Sequence, residues 1–386
     1  MTQPHLFSTN FLQTLMETHF HENKILVKSV EPLDVDNSAS ILAVLTAGRS
    51  ERLIGHFGLA VIYEKDGLEI HQNMVMKVKP HGGEIVEMLN NLASACGGNL
   101  AKQYNEYKEL TGFKHTHARE LEIYQKLPSA FTPEIFGLYS DSSTDTYIIL
   151  MEYLQDVSLL NSVMQPELWT NTHIERALTA IAKWHAKFLD TQLPIDKKLW
   201  NDAASETYMQ DLKPLWQELL NNAATSFPDL YTAERTSLLQ QAINKIDAYQ
   251  NELKSHPKTL VHNDFNPRNT CFKTINGEDE LCVYDWELAT FHLPQYDVVE
   301  LLCFVLDEDR YHLRDYFLEF YRLQLNELTG KFGDKAKFQR GFYLSAFDFG
   351  LHRLGMYMMA HTVSPYPFLP RVVRGYFDLL RRRFEG

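Results

Sequence analysis

The residues from Leu260 to Asn269 read Leu-Val-His-Asn-Asp-Phe-Asn-Pro-Arg-Asn, so an aspartate, Asp264, stands five positions before an asparagine, Asn269. A second aspartate, Asp285, follows after two apolar runs, Thr270-Cys271-Phe272-Lys273 and Leu281-Cys282-Val283-Tyr284, which flank Asn276-Gly277. Asn-Gly between such runs predicts a β-hairpin. Pairing centred on Gly277 sets Asn269 directly opposite Asp285 at the open end, with Asp264 on the loop that enters the hairpin. Oxygen-bearing side chains gathered this way suit Mg²⁺, which completes its coordination with water and substrate phosphates. Phosphoryl transfer asks the protein for little else: metal on the phosphates, a positioned hydroxyl and an acceptor for its proton. Asp264 fits the proton acceptor, and Asn269 and Asp285 fit the metal. Turn capping alone would explain His262-Asn263-Asp264 or Asp285-Trp286-Glu287 separately, but not their combination.

A second group lies far upstream. Lys77 sits within Met74-Val75-Met76-Lys77-Val78, an apolar strand pattern in which an ammonium needs an anionic partner. In protein kinases a lysine on such a strand holds nucleotide phosphates and pairs with a helical glutamate. Glu120 is the candidate here, because Ile123, Tyr124 and Leu127 follow at i+3, i+4 and i+7 and place it beside the apolar face of its helix. Glu122 pairs with Lys126 at i+4 and reads as solvent-facing.

These residues require a scaffold of two parts. Residues 25–79 read as strands, notably Ile41–Leu45, Leu59–Tyr63 and Met74–Val78, with Asp66-Gly67 as a tight turn. Helices follow at Ile85–Cys96 and at about His115–Leu127, and a strand at Thr146–Glu152 closes the set. From Tyr153 onward helical patterns dominate: Ile174–Leu189, Leu230–Leu253, Val298–Leu306, Leu313–Leu328, Gly341–Ala360 and Arg371–Phe384. The fold class is therefore α+β and bilobal, protein-kinase-like in outline. Residues 1–152 form a nucleotide-binding lobe, 153–386 a helical lobe carrying the loop 262–269 and the hairpin 270–287, and the hinge lies near 150–154.

The chain has 386 residues, 45% hydrophobic and 23% charged, with a formal net charge of -13. That acidity argues against nucleic acid or anionic membrane as partner and is compatible with a cationic small molecule. Four cysteines without a C-x-x-C pair suit buried thiols in a reducing compartment, and no stretch has the length of a membrane span. The protein reads as cytoplasmic, with no membrane partner and with its oligomeric state open. His115-Thr116-His117 reads as a solvated helix start, His185 as a core histidine, and Arg381-Arg382-Arg383, with Arg371 and Arg374, as the basic outer face of a docked terminal helix. Asp307-Glu308-Asp309 suits either a cation-attracting patch or a solvated turn.

The motifs resemble the aminoglycoside phosphotransferase and choline kinase superfamily, and within it the ecdysteroid-kinase-like group. Asn37-Ser38-Ala39-Ser40 is similar to that group's N-x-A-S nucleotide loop, and Lys77-Val78-Lys79-Pro80 to its strand-lysine segment. Arg119-Glu120-Leu121-Glu122-Ile123-Tyr124 resembles its R-E-x-x-F-Y helix, Ile181-Ala182-Lys183-Trp184-His185-Ala186 its A-x-x-H-A helix, and Asp285-Trp286-Glu287 its D-W-Q/E. The resemblance implies ATP- and Mg²⁺-dependent phosphorylation of a hydroxyl on a small-molecule substrate. It implies Asp264 as the catalytic aspartate, Asn269 and Asp285 as metal ligands, and Lys77 with Glu120 on the phosphates. Ser38 and Ser40 would line the nucleotide, Met151, Glu152 and Tyr153 would form the adenine hinge, and Asp297 would buttress the catalytic loop. One position departs: Asn263 stands where the family has glycine, and asparagine is among the residues that tolerate positive φ. A protein kinase is the weaker alternative, since the loop lacks the arginine of H-R-D and the twelve positions from Asp285 to Asp297 leave no room for an activation segment. The other alternative is a catalytically silent nucleotide-binding module.

Overall fold

The computed structural model describes residues 4–21, 24–35, 53–127, 129–201, 203–204 and 208–382. The strand expected at Ile41–Leu45 and the nucleotide loop with Ser38 and Ser40 lie outside the described residues. A helix, α1 (Thr9–Phe20), precedes five strands, β1 (Ile25–Leu33), β2 (Gly55–Lys65), β3 (Leu68–Lys79), β4 (Ile135–Asp141) and β5 (Thr146–Glu152). They form one antiparallel sheet in the order β1-β2-β3-β5-β4. Between β3 and β4 run α2 (Gly82–Cys96), α3 (Gly98–Tyr107) and α4 (Thr116–Lys126).

The period of two along β3 sorts its side chains between the two faces of the sheet. Met74, Met76 and Val78 join Leu12, Leu15 and Met16 of α1 in one apolar cluster, while Val75 packs on the opposite side with Ile85, Val86 and Leu89 of α2. Lys77 and Lys79 share the face of Val75, towards α4. The turn joining β2 to β3 has Asp66 at φ 53° and Gly67 at φ 78°, the left-handed pair of a two-residue hairpin.

Helix α2 starts with a capping box: the His81 ring accepts from the Gly83 amide, and the Glu84 carboxylate accepts from the His81 amide. Its first residue must be glycine, because a Cβ on Gly82 would lie 1.9 Å from the Lys114 carbonyl oxygen. Backbone cannot yield as a side chain can. Gly82→Ala is expected to destabilise the protein by about 1–3 kcal/mol, measured as a lower urea midpoint; an unchanged midpoint would show that this junction relaxes freely.

The remaining helices are α5 (Asn171–Phe188), α6 (Lys213–Ser226), α7 (Ala233–Asn244), α8 (Ile246–Leu253), α9 (Gln295–Val305), α10 (Arg314–Thr329), α11 (Lys335–Phe349), α12 (Gly355–Val363) and α13 (Leu369–Arg382). The single helix expected over 230–253 is two, interrupted at Lys245, and a π-helical turn over Gly350–Leu354 joins α11 to α12. Two small ladders are set among these helices: β6 (Thr259–Val261) pairs with β9 (Thr290–His292), and β7 (Thr270–Ile275) with β8 (Glu278–Val283). On α13, Val372, Val373, Tyr376, Phe377, Leu379 and Leu380 are buried, as expected of a docked terminal helix. Arg371 is not part of its outer face; its guanidinium donates to the carbonyls of Phe304 and Val163. Among the described residues no helix is long and apolar enough to cross a membrane.

Candidate active site

The hairpin forms, but one residue out of the expected register. Ile275 pairs with Glu278 and Thr270 with Val283, so Asn269 is opposite Tyr284, whose amide donates to the Asn269 carbonyl at 3.0 Å. The loop consists of both Asn276 (φ 55°) and Gly277 (φ 82°), so the pairing axis falls between them rather than on Gly277. Asp285 therefore lies just beyond the ladder, with φ 64° and ψ 52°. Left-handed backbone at a non-glycine residue persists only where the surroundings impose it. Here the His262 ring bonds the Tyr284 carbonyl at 2.9 Å, and Trp286 packs against both His262 and Trp184.

The loop before the hairpin hangs from a buried carboxylate. Asp297, at the start of α9, accepts the amides of His262 at 2.8 Å and Asn263 at 2.9 Å. His185 and Tyr321 complete this support, with His185 Nε2 3.1 Å from the Asp297 carboxylate and Nδ1 2.6 Å from the tyrosine hydroxyl. Asn263 adopts φ 60°, and its side-chain amide donates to the Leu288 carbonyl at 2.9 Å. Asparagine thus supplies the conformation that glycine would, together with a tie to the segment after Asp285.

Asp264 is buried and heavily bonded. Its Oδ1 accepts from Arg353 Nη2 at 2.6 Å, the Tyr357 hydroxyl at 2.6 Å and Asn266 at 3.0 Å, with Arg268 Nη2 at 3.4 Å. Its Oδ2 accepts from Asn269 Nδ2 at 2.8 Å. Burial by itself would raise the Asp264 pKa, but Arg353, then Arg268, and the Tyr357 hydroxyl hold it well below the usual carboxylate range. The Asn269 amide nitrogen is spent on Asp264, and its oxygen is the atom left for a cation.

At the roof of the cleft, Lys77 Nζ donates to both oxygens of Glu120, at 2.9 and 2.8 Å, and to Asp285 Oδ1 at 2.6 Å. Lys79, two residues on and on the same face, reaches Glu120 and lies 2.7 Å from Glu287. Glu120, Asp285 and Glu287 thus bring carboxylate oxygens within 4.8 Å of one another. Asn269 lines the same cleft, and carboxylate and amide oxygens are hard donors of the kind Mg²⁺ takes, so the residue types fit the group the motifs imply. Met151, Glu152 and Tyr153 border the same cleft, whose volume is about 470 Å³ and which also reaches Asp264 and Asn269. Glu152 is held by Lys273 of β7 at 2.6 Å.

Residues 110–330, more than half of the chain, match the phosphotransferase enzyme family. This chain belongs to that family. Its setting is the aminoglycoside phosphotransferase and choline kinase superfamily, and the α+β architecture is the one expected from the motifs. No curated protein sequence matches this phosphotransferase. Among solved structures it is similar to the ethanolamine kinase of Plasmodium vivax (12% identity, 92% of this chain and 82% of that one, TM-score 0.44). It is also similar to a microcompartment-associated aminopropanol kinase (13% identity, 92% of both chains, TM-score 0.43). A third is an aminoglycoside phosphotransferase of Streptomyces rimosus (11% identity, 82% and 99%, TM-score 0.41).

Motif spacing missed Arg353 and Tyr357, which lie beyond the segment of the phosphotransferase that matches the family. A signal was present: an arginine within Gly350-Leu351-His352-Arg353-Leu354-Gly355-Met356 is as anomalous as Lys77 in its strand, and calls for a buried anion. Glu122 does pair with Lys126 but is not solvent-facing; it is buried, accepting from the Asp196 amide and the Trp200 indole. Asp307, Glu308 and Asp309 stand at a short 3-10 turn outside the cleft lining, with Asp307 bonded to Arg310.

Behind the loop, Asn266 Nδ2 bridges Asp264 Oδ1 and Glu300 Oε1, the latter at 3.1 Å. Burial, then the nearby Asp264 charge, push the Glu300 carboxyl up to about 8. A carboxyl raised in the folded state stabilises fully below its unfolded value of 4.5 and loses that contribution as pH rises through about 8. Glu300→Gln is expected to flatten this decline and make the phosphotransferase more stable than wild type on the alkaline side. Urea titrations across the window test this, and parallel pH profiles for the two proteins would exclude Glu300 as the source.

Proposed function

We propose that the protein is an ATP- and Mg²⁺-dependent kinase of the cytoplasm that phosphorylates a hydroxyl of a small molecule. On this reading residues 1–152 hold the nucleotide, 153–386 carry the catalytic loop 262–269 and the metal-binding hairpin 270–287, and the motifs stand nearest the ecdysteroid-kinase-like group. The observation that carries it is the meeting, in one cleft, of Lys77–Glu120–Asp285 from one side with Asp264–Asn269 from the other. Mg²⁺ held by Asn269 and Asp285 would supply the charge that neutralises the phosphates. Lys77, oriented by Glu120, binds phosphate oxygens. Of the hinge amides, Glu152, Tyr153 and Gln155 donate to Glu134, Asn73 and Tyr153 carbonyls respectively. That leaves the Leu154 amide, which borders the cleft, for the adenine.

Asp264 stays ionised throughout the working pH range because of its guanidinium neighbours. It therefore orients the acceptor hydroxyl first and takes the proton only as the oxygen–phosphorus bond forms, consistent with a loose transition state. The test has two stages: Mg-ATP is expected to raise the melting temperature, and γ-phosphate is expected to move from ATP to a hydroxylated metabolite in a panel. Absence of the Mg-ATP shift would overturn the nucleotide assignment. A Mg-ATP shift accompanied by label appearing only on protein would make the chain a protein kinase.

A further inference from the structure

The acceptor side of the cleft is walled by Arg268, Arg353, Met356, Tyr357, Ala360 and Tyr366. Arg353 is 4% exposed, spends Nη2 on Asp264 and Tyr357, and has no hydrogen-bond partner for its buried Nε. Arg268 also reaches Asp264, at 3.4 Å. On the lining surface two guanidiniums thus share one carboxylate, with Glu300 buried behind Asn266 as the other acid near them. Of the other carboxylates, Glu152 has Lys273, while Asp285 and Glu287, together with Glu120, share Lys77 and Lys79. An arriving ammonium would also find the Tyr357 ring taken, since Arg268 lies 5.2 Å and Arg353 4.9 Å from its centroid. The chain's overall charge of -13 does not extend to this wall.

From this wall we infer that the acceptor is a hydroxylated anion with a partly apolar body, its carboxylate or equivalent group received by Arg353 and Arg268. This deepens the kinase reading and rests on Asp264 being its transfer site. The planar fork of arginine suits a carboxylate or phosphate with two parallel donors. The apolar body has its own surface: Ile85, Met88, Leu89 and Leu92, at i, i+3, i+4 and i+7 on α2, line the same cleft with Phe113. An incoming anion takes guanidinium donors that now cover Asp264 Oδ1, and so frees that oxygen for the hydroxyl. Acceptor binding and exposure of the proton acceptor become one event. The π-helical turn at Gly350–Leu354 that carries Arg353 inserts into an otherwise regular helix, a feature that recurs at functional sites.

The test uses the full chain saturated with Mg²⁺ and a non-hydrolysable ATP analogue, whose own thermal shift reports on nucleotide binding before any acceptor is added. Glycolate is compared with ethanolamine, and phenyllactate with 1-amino-3-phenylpropan-2-ol, so that each pair keeps its hydroxyl on the same carbon and differs in charge. The acids are expected to bind at least about tenfold more tightly than their amine partners, with phenyllactate the tightest. Arg353→Met is expected to abolish that preference and Arg353→Lys to restore part of it. If Arg353→Met does not fold, judged by circular dichroism, Arg268→Gln carries the test with an expected loss of about threefold or more in acid binding. Equal or tighter binding of the amines, or no binding by any of the four while the analogue still shifts the protein, would overturn the anionic acceptor and leave the kinase reading standing. Loss of the analogue's own shift would overturn the kinase reading itself.

Discussion

Asp264→Asn is expected to lower phosphate transfer by about 10²–10⁴-fold, the range for removing a positioned proton acceptor. The substitution keeps size and shape but takes away the one anion shared by Arg353, Arg268 and the Tyr357 hydroxyl. Breaking a buried ion pair from one side costs about 3–5 kcal/mol, so a fall in stability is expected beside the fall in rate. The two effects separate experimentally. Urea unfolding reports the stability loss, while turnover per folded molecule with Mg-ATP still bound reports the chemical loss. Turnover near wild type in the folded fraction would remove Asp264 from the reaction and reduce it to a counter-ion for the arginines.

Asp285→Asn is the second large effect, and it should appear in binding rather than in a late step. Burial would raise the Asp285 pKa, but Lys77 and then Lys79 outweigh it and hold the carboxyl at about 2. In the variant, Lys77 keeps Glu120 but loses the contact at 2.6 Å to Asp285, and the carboxylate proposed as a metal ligand is gone. The expected result is loss of the Mg²⁺-dependent part of the ATP thermal shift; persistence of that part would place the metal elsewhere. The same carboxylate predicts an acid limit. A group held below its ordinary 3.8 stabilises fully above that value, and its contribution fades as pH falls towards about 2. Wild type should therefore lose stability on that acid limb more steeply than Asp285→Asn, as read by urea midpoints.

Three relations were legible in the sequence because each is carried by a local period. The period of two in β3 puts Lys77 and Lys79 on the face of Val75, the period of 3.6 in α4 puts Glu120 beside an apolar stripe, and Asn-Gly between apolar runs makes a hairpin. In the folded chain these side chains are in contact: Lys77 with Glu120, and Asn269 with Asp264. Asn263 was also readable, since a residue tolerant of left-handed backbone stood where that backbone is needed.

Other relations depend on how distant pieces dock, and no local period encodes docking. The hairpin register turned on whether one residue or two form the loop, a choice that moves every cross-strand partner. Glu122 sits on the helix edge that its pairing with Lys126 suggested, yet the segment carrying Asp196 and Trp200 folds over it and buries it. Above all, Arg353 reaches Asp264 across 89 positions of chain, from a turn whose π-helical geometry aims it at the loop. Sequence alone determined the residue types and local spacings on which the proposal of metal-assisted phosphate transfer rests. Tertiary packing decided the charge on the wall of the cleft around Asp264, because it is the sum of Asp264 and Arg268 from the loop 262–269 and Arg353 from the turn before α12.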